Sequence, residues 1–241
     1  MLMLPLLPLV AGLLPALSSS GGGSAAPRVR ADLAHVSTDL RVVALTFDDG
    51  PSPRFTPQVL ALLLQEGVPA TFFVVGREAE RFPALVRQVA ADGFEVGNHT
   101  WNHVMTPMDP AQAAWEVGQT ERLLHRLTGE VPSLFRPPGG ELNTGVAGYA
   151  QRQGRTVVTW DVDPRDYAPG QDAERIAAQV LAQVRPGSII VLHDGGGDRS
   201  ATVAALAQII PALRERGYGF VSLSDLSALA RSAPPLTVLP R

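Results

Sequence analysis

The stretch RVVALTF at residues 41–47 runs directly into DDGP at residues 48–51. An apolar run rich in β-branched side chains reads as a buried strand. Two carboxylates followed by Gly50-Pro51 cannot continue it, because Pro lacks a ladder donor and unpaired buried charge is costly. The strand therefore ends where its chemistry begins, and the pattern recurs along the chain. Further strands are expected at 70–75, 94–97, 133–136, 156–160, 188–192 and 219–223. Between them, helices are expected at 56–66, 82–91, 110–127, 144–153, 172–184, 201–216 and 224–230. Thr56-Pro57 opens the first, Asp92-Gly93 stops the second and Gly129 stops the third.

About seven strands alternating with helices imply crossover connections over a mostly parallel sheet, hence an α/β protein. A barrel or an open doubly wound sheet fits. Five strands end in polar residues: Asp48-Asp49, His99, Arg136, Asp161 and His193. Parallel strands place their C-terminal ends on one face, so these residues are brought together. Contributions from several strands to one centre favour the barrel. No Gly-rich phosphate fingerprint follows the first strand, which disfavours a nucleotide fold.

The composition bounds the function. In 241 residues, 45% are hydrophobic and 18% charged, enough to close a sizeable core without staples. A net charge of -3 argues against a nucleic-acid binder. With no cysteine there is no disulfide, thiolate metal site or cysteine nucleophile, which suits an oxidising compartment. Residues 1–17 are uncharged and mostly Leu, Pro, Val and Ala, and they resemble the apolar region of an export signal, although no basic residue precedes them and Pro5, Pro8 and Pro15 interrupt them. A Ser-, Gly- and Ala-rich linker follows at 18–26. The expected division is a leader and linker at 1–38, a folded domain at 39–231 and a Pro-rich tail at 232–241. Export to the medium or the cell envelope is expected.

His99-Thr100-Trp101-Asn102-His103 sets two imidazoles four residues apart, a spacing that puts both on one side of a helical turn. With one carboxylate they make three ligands for a divalent metal, leaving open positions for water and substrate. Adjacent Asp48 and Asp49 point in different directions, so one can bind metal while the other takes a proton. Arg136, Asp163, Asp166 and His193 complete the polar set. A guanidinium among aspartates would hold a carboxylate base in place in its charged form. His35 and His125 read as structural or solvated. Trp101, Trp160 and Tyr167 lie beside these motif residues.

Taken in order, these motifs resemble the polysaccharide deacetylases of the NodB-homology type, carbohydrate esterase family 4. They are Thr46-Phe47-Asp48-Asp49-Gly50-Pro51-Ser52, then Gly97-Asn98-His99-Thr100-Trp101-Asn102-His103, then Arg136-Pro137-Pro138-Gly139-Gly140, then Asp163-Pro164-Arg165-Asp166-Tyr167, and finally Val191-Leu192-His193-Asp194. The resemblance runs over 39–230 and implies a distorted (β/α) barrel. It implies Asp48 as general base, with Asp49, His99 and His103 as metal ligands. Arg136 would orient Asp48, itself supported by Asp166, and His193 would be the general acid, oriented by Asp163. The amide of Gly139 would face the oxyanion, Tyr167 would meet the sugar and Val191 would wall the acetyl methyl. Three positions depart from the family pattern: Gly139 where an aromatic is usual, Tyr167 for Trp and Val191 for Leu. The implied metal is zinc, with cobalt, nickel or manganese fitting similar ligands. The implied substrate is an N-acetylglucosamine polymer, peptidoglycan or chitin-like, with cell-wall association and no nucleic-acid partner. Acetylated xylan and a non-catalytic glycan-binding role are the alternatives.

Overall fold

The computed structural model describes residue 29 and residues 31–232. The apolar leader at 1–17 and the last residues of the Pro-rich tail lie outside the described residues. Seven strands form one parallel sheet: β1 (Val42–Asp48), β2 (Ala70–Val74), β3 (Glu95–Asn98), β4 (Leu134–Phe135), β5 (Thr156–Val157), β6 (Ile189–His193) and β7 (Gly219–Phe220). Their order is β5-β4-β3-β2-β1-β6, and β7 pairs with the start of β1. The helices are α1 (Thr56–Glu66), α2 (Gly76–Arg81), α3 (Pro83–Ala91), α4 (Pro110–Thr128), α5 (Val146–Arg152), α6 (Ala173–Gln183), α7 (Ser200–Glu215) and α8 (Leu223–Ser232). The two margins of the sheet meet through a bridge between Val162 and Ile190, with the Val191 N–H donating to the Val162 carbonyl. The barrel is thus closed by irregular chain after β5, which is the expected distortion.

Period-two alternation sorts the strand residues between two environments. Val43, Leu45 and Phe47 of β1 join Ile190 and Leu192 of β6 in the large core beneath the helices. The intervening residues Thr46 and Asp48 face the barrel interior, opposite Val191 and His193 in register. Val191 is therefore buried one layer beneath His193. Phe73 enters the interior from β2, and Gly97 on β3 makes room for it: a Cβ there would lie 2.5 Å from the Phe73 ring. The strand at 156–160 is shorter than expected because, beyond Val157, the chain turns its hydrogen bonds to the N-terminal segment. Helix α2 was not anticipated. Its six residues open with Gly76, where a Cβ would lie 2.5 Å from both Thr120 and Trp101.

Packing extends N-terminal of the boundary expected at 39. Leu33 bridges Val158, Val36 N–H donates to the Gly187 carbonyl, and the His35 ring hydrogen-bonds the Pro186 carbonyl at 2.9 Å. Leu33 and Val36 are buried, because the bottom of the barrel would otherwise expose Ala44 and Ile189. Two such side chains contribute on the order of 3 kcal/mol or more. A chain beginning at Asp39 should be less stable by that amount than one beginning at Val29, as read by urea denaturation; equal midpoints would show the segment to be dispensable.

Candidate metal centre and catalytic cleft

At the end of β1 the backbone turns left-handed at Asp49, with φ 71°. That turn sends Asp48 into the barrel and Asp49 toward the loop after β3. The loop itself is not the helical turn that the His99–His103 spacing suggested. Thr100 and His103 both have positive φ, 66° and 59°, which an α-helix cannot accommodate. Instead the Glu116 carboxylate, projecting from α4, accepts the Trp101 and Asn102 N–H groups at 2.8 Å each and the Asn102 side-chain amide. Asn98 receives the Thr100 N–H and donates to the Val117 carbonyl. The loop is thus tied down from both sides, and two of the three expected ligands sit in strained backbone, as functional positions often do.

The tie-down brings the three groups together. One ligand atom from each of Asp49, His99 and His103 lies within 4.8 Å of the others. His103 Nε2 is 3.0 Å and His99 Nε2 3.5 Å from Asp49 Oδ1. His99 Nδ1 meets the Arg136 carbonyl at 2.7 Å, so that nitrogen carries the proton and Nε2 offers a lone pair. Asp49 Oδ1 is buried without a hydrogen bond. A lone pair facing an unpaired carboxylate oxygen is repulsive unless a cation lies between, so the donor set fits a divalent metal. Burial alone would raise the Asp49 carboxyl, but the adjoining imidazoles of His103 and His99 outweigh it and hold the group well below the usual carboxylate range.

Arg136 is completely buried. Its Nη1 donates to Asp48 Oδ1 at 2.7 Å and to the Thr46 hydroxyl at 2.8 Å, and its Nη2 to the Thr159 carbonyl at 3.3 Å. The guanidinium lies over the Phe73 ring, 4.1 Å from its centroid, and 5.4 Å from that of Trp160. Asp48 Oδ2 is 3.8 Å from His99 Nε2, adjoining the ligand cluster.

The two other aspartates take different partners from those expected. Asp166, expected behind Arg136, instead meets His193: its Oδ1 is 2.7 Å from Nδ1, and its Oδ2 accepts the His193 N–H and the Thr202 hydroxyl. Asp163, expected on His193, accepts the Arg165 N–H at 2.7 Å and the Tyr167 hydroxyl at 3.3 Å. The reason is the turn between them. Arg165 has a positive φ, so Asp166 enters the buried side while Asp163 remains with the exposed loop. Burial opposes a charged His193, yet Asp166, with Asp48 and Asp49 beyond it, raises the imidazole to about 9. Asp161 stays out of the site, binding the Ser188 hydroxyl and the Ile189 N–H.

A cleft of about 380 Å³ is lined by Asp48, Asp49, His99, His103 and His193, with Met105, Gly139, Trp160 and Tyr167 as walls. Val191 does not line it. The Tyr167 ring stands edge-on to His193 at 5.3 Å and is largely exposed. Sequence reasoning missed Arg199, a buried residue that also lines this cleft and whose Nε donates to the Gly195 carbonyl. It also missed Glu116, Thr202 and the structural part of Asp194. The signal was the run Gly195-Gly196-Gly197-Asp198-Arg199 directly after His193-Asp194. A Cβ at Gly195 would lie 2.1 Å from the Asp49 carbonyl, and one at Gly196 would lie 2.5 Å from the Asp49 carboxylate. A Cβ at Gly50 would lie 2.4 Å from the Asp194 carboxylate, which accepts the Thr56 hydroxyl at 2.5 Å.

The chain is similar to known proteins of one family. Residues 35–158 match the polysaccharide deacetylase family. A peptidoglycan-N-acetylglucosamine deacetylase of Bacillus cereus is 44% identical over 195 residues, 79% of this chain and 90% of that protein. A chitooligosaccharide deacetylase of a Bradyrhizobium species is 42% identical over 200 residues, 77% of this chain and 90% of its own length. Among solved structures, a family 4 acetyl xylan esterase from Clostridium thermocellum in complex with a cobalt ion superposes with a TM-score of 0.72 at 37% identity, covering 80% of this chain and 93% of the other. With a family match over half its residues and relatives covered along nine-tenths of their length, the chain belongs to the polysaccharide deacetylases.

Proposed function

We propose that the protein hydrolyses N-acetyl groups on a polymer containing N-acetylglucosamine, with peptidoglycan the leading substrate and chitin-like chains next. The observation that carries this reading is the approach of Asp49, His99 and His103 within 4.8 Å, beside an Asp48 held by Arg136 and a His193 held by Asp166. The relatives that act on peptidoglycan and chitooligosaccharides support the substrate class. A divalent cation held by the three ligands, with zinc favoured by two imidazoles and one carboxylate and cobalt, nickel or manganese suited to similar donors, would polarise the acetyl carbonyl and acidify water beside it.

The remaining chemistry falls to this chain's own residues. Asp48, pinned through Oδ1, has Oδ2 on the side of the ligand cluster to take the proton of the attacking water. His193 keeps Nδ1 on Asp166, so its other ring nitrogen delivers a proton to the departing nitrogen, which leaves as an amine. The Gly139 amide is assigned to the oxygen that gains charge, where one donor is typically worth about 3 kcal/mol. Tyr167 and Trp160 would receive the sugar faces. We place the protein in the envelope or outside the cell, on the strength of its export-like leader and polymeric substrate. Among the described residues no helix is long and apolar enough to cross a membrane.

Acetate release from cell-wall fragments, acetylated chito-oligomers and acetylated xylan, with zinc or cobalt added, tests the reading. Release from the first two is expected. Release from xylan alone would replace it with an O-acetyl esterase, a role named for the solved xylan esterase relative. No release from any of the three would remove the catalytic account altogether.

Asp48→Asn should lower kcat by about 10²- to 10⁴-fold while the protein keeps its metal, measured by equilibrium dialysis. A glycan-binding protein would instead keep its function.

The His193 imidazole must be charged to donate, and it is charged below about 9. Turnover should therefore fall as pH rises through about 9. Asp166→Asn should move that limb toward the reference histidine value of about 6.5. An unmoved limb would assign the acid role elsewhere.

A further inference from the structure

Two clefts meet at the ligand cluster. The one described above and a second, of about 510 Å³, share Asp49, His103 and Gly196. A polymer presenting one acetyl group at the cluster extends its neighbouring sugars into both. The walls of the first arm, Met105, Trp160 and Tyr167, suit the uncharged faces of a sugar.

The second arm differs in charge. Its outer wall is formed by α2, with Arg77, Glu78 and Arg81 beside Phe82. Glu78 is shared: Arg77 Nε is 3.4 Å and Arg81 Nη1 3.0 Å from its carboxylate. The two guanidinium groups are more than half exposed, whereas Glu78 is largely covered. One carboxylate therefore faces two guanidinium groups that carry five N–H donors each, leaving donors and one positive charge in excess. Such exposed pairs are weakly held and can turn toward a ligand. The other acid lining this arm, Asp49, belongs to the metal cluster.

We infer that this arm is a subsite for a carboxylate on a sugar adjacent to the one being deacetylated. The inference rests on the deacetylase reading and narrows its substrate to a glycan of the peptidoglycan type whose lactyl carboxyl is free, that is, one without stem peptides, since a stem is joined there through an uncharged amide. Chitin-like chains share the acetylated sugar but have no acid at that position. A guanidinium fork matches a carboxylate through two parallel hydrogen bonds.

The test compares acetate release from three tetrasaccharides: a muramyl-containing one with free lactyl carboxylates, the same compound amidated there, and acetylated chitotetraose. The free acid should exceed the amide in kcat/KM by about tenfold at low salt, as a charge-assisted contact at an exposed site allows. The ratio should shrink with ionic strength and fall to near one in the double variant Arg77→Gln/Arg81→Gln. Both rates come from the same preparation, so partial misfolding cancels in the ratio. A wild-type ratio near one, or a ratio that the double variant leaves unchanged, overturns the inference. Turnover of chitotetraose alongside an absent acid preference leaves the deacetylase reading standing. Acetate from none of the three compounds overturns that reading and this one with it.

Discussion

The centre of this barrel is a buried charge. Arg136 is completely buried there, and it is tolerable because both Nη groups are partnered and both faces covered, although Nε has no hydrogen bond. Asp48 and Thr46 take one end, the Thr159 carbonyl another, and the rings of Phe73 and Trp160 cover its faces. Removing one partner from such a pair typically costs about 3–5 kcal/mol, because the other charge is left buried and uncompensated. An apolar replacement of both would leave no uncompensated charge, but it would remove Asp48, the proposed base. Much of the interior follows from this arrangement: small or polar residues on the inner face of β1, Gly97 opposite Phe73, and a Trp160 turned inward.

Around that pair the site is held more by backbone than by side chains. The Asp49 turn lies against Gly195 and Gly196, at distances no Cβ would permit. The ligand-bearing loop after β3 is fastened by Glu116 through main-chain N–H groups. Asp194 and Thr56 close over Gly50 from the other side. Rigid support of this kind matters for a cluster of three lone-pair donors, which repel one another until a cation joins them. The left-handed residues Asp49 and His103 are part of the same device, since each turns a side chain toward a point that regular structure would miss.

The acid–base groups are separated by environment rather than by type. Asp48 meets a fixed cation, while His193 meets a fixed anion on its Nδ1 side. Opposite partners give two titratable groups in one cleft opposite tasks. Thr202, one turn into α7, secures the second oxygen of Asp166, so the helix packed outside the barrel fixes the imidazole inside it.

Much of this was legible from residue order. Apolar runs ending abruptly in Asp48-Asp49, His99, Arg136 and His193 announced parallel strands with one functional face, because buried strands do not tolerate such residues except at their ends. Residue order could not say which aspartate meets which base, since a left-handed Arg165 decides which of Asp163 and Asp166 turns inward. Nor could it show that the His99–His103 pair converges through a loop, because the Glu116 carboxylate that shapes the loop comes from a later helix. Local sequence determined where each strand stops and which chemical groups stand at its tip. Only the closed barrel decided how those groups pair, because hydrogen bonds and close approaches between distant segments depend on their placement in space, which no local pattern encodes.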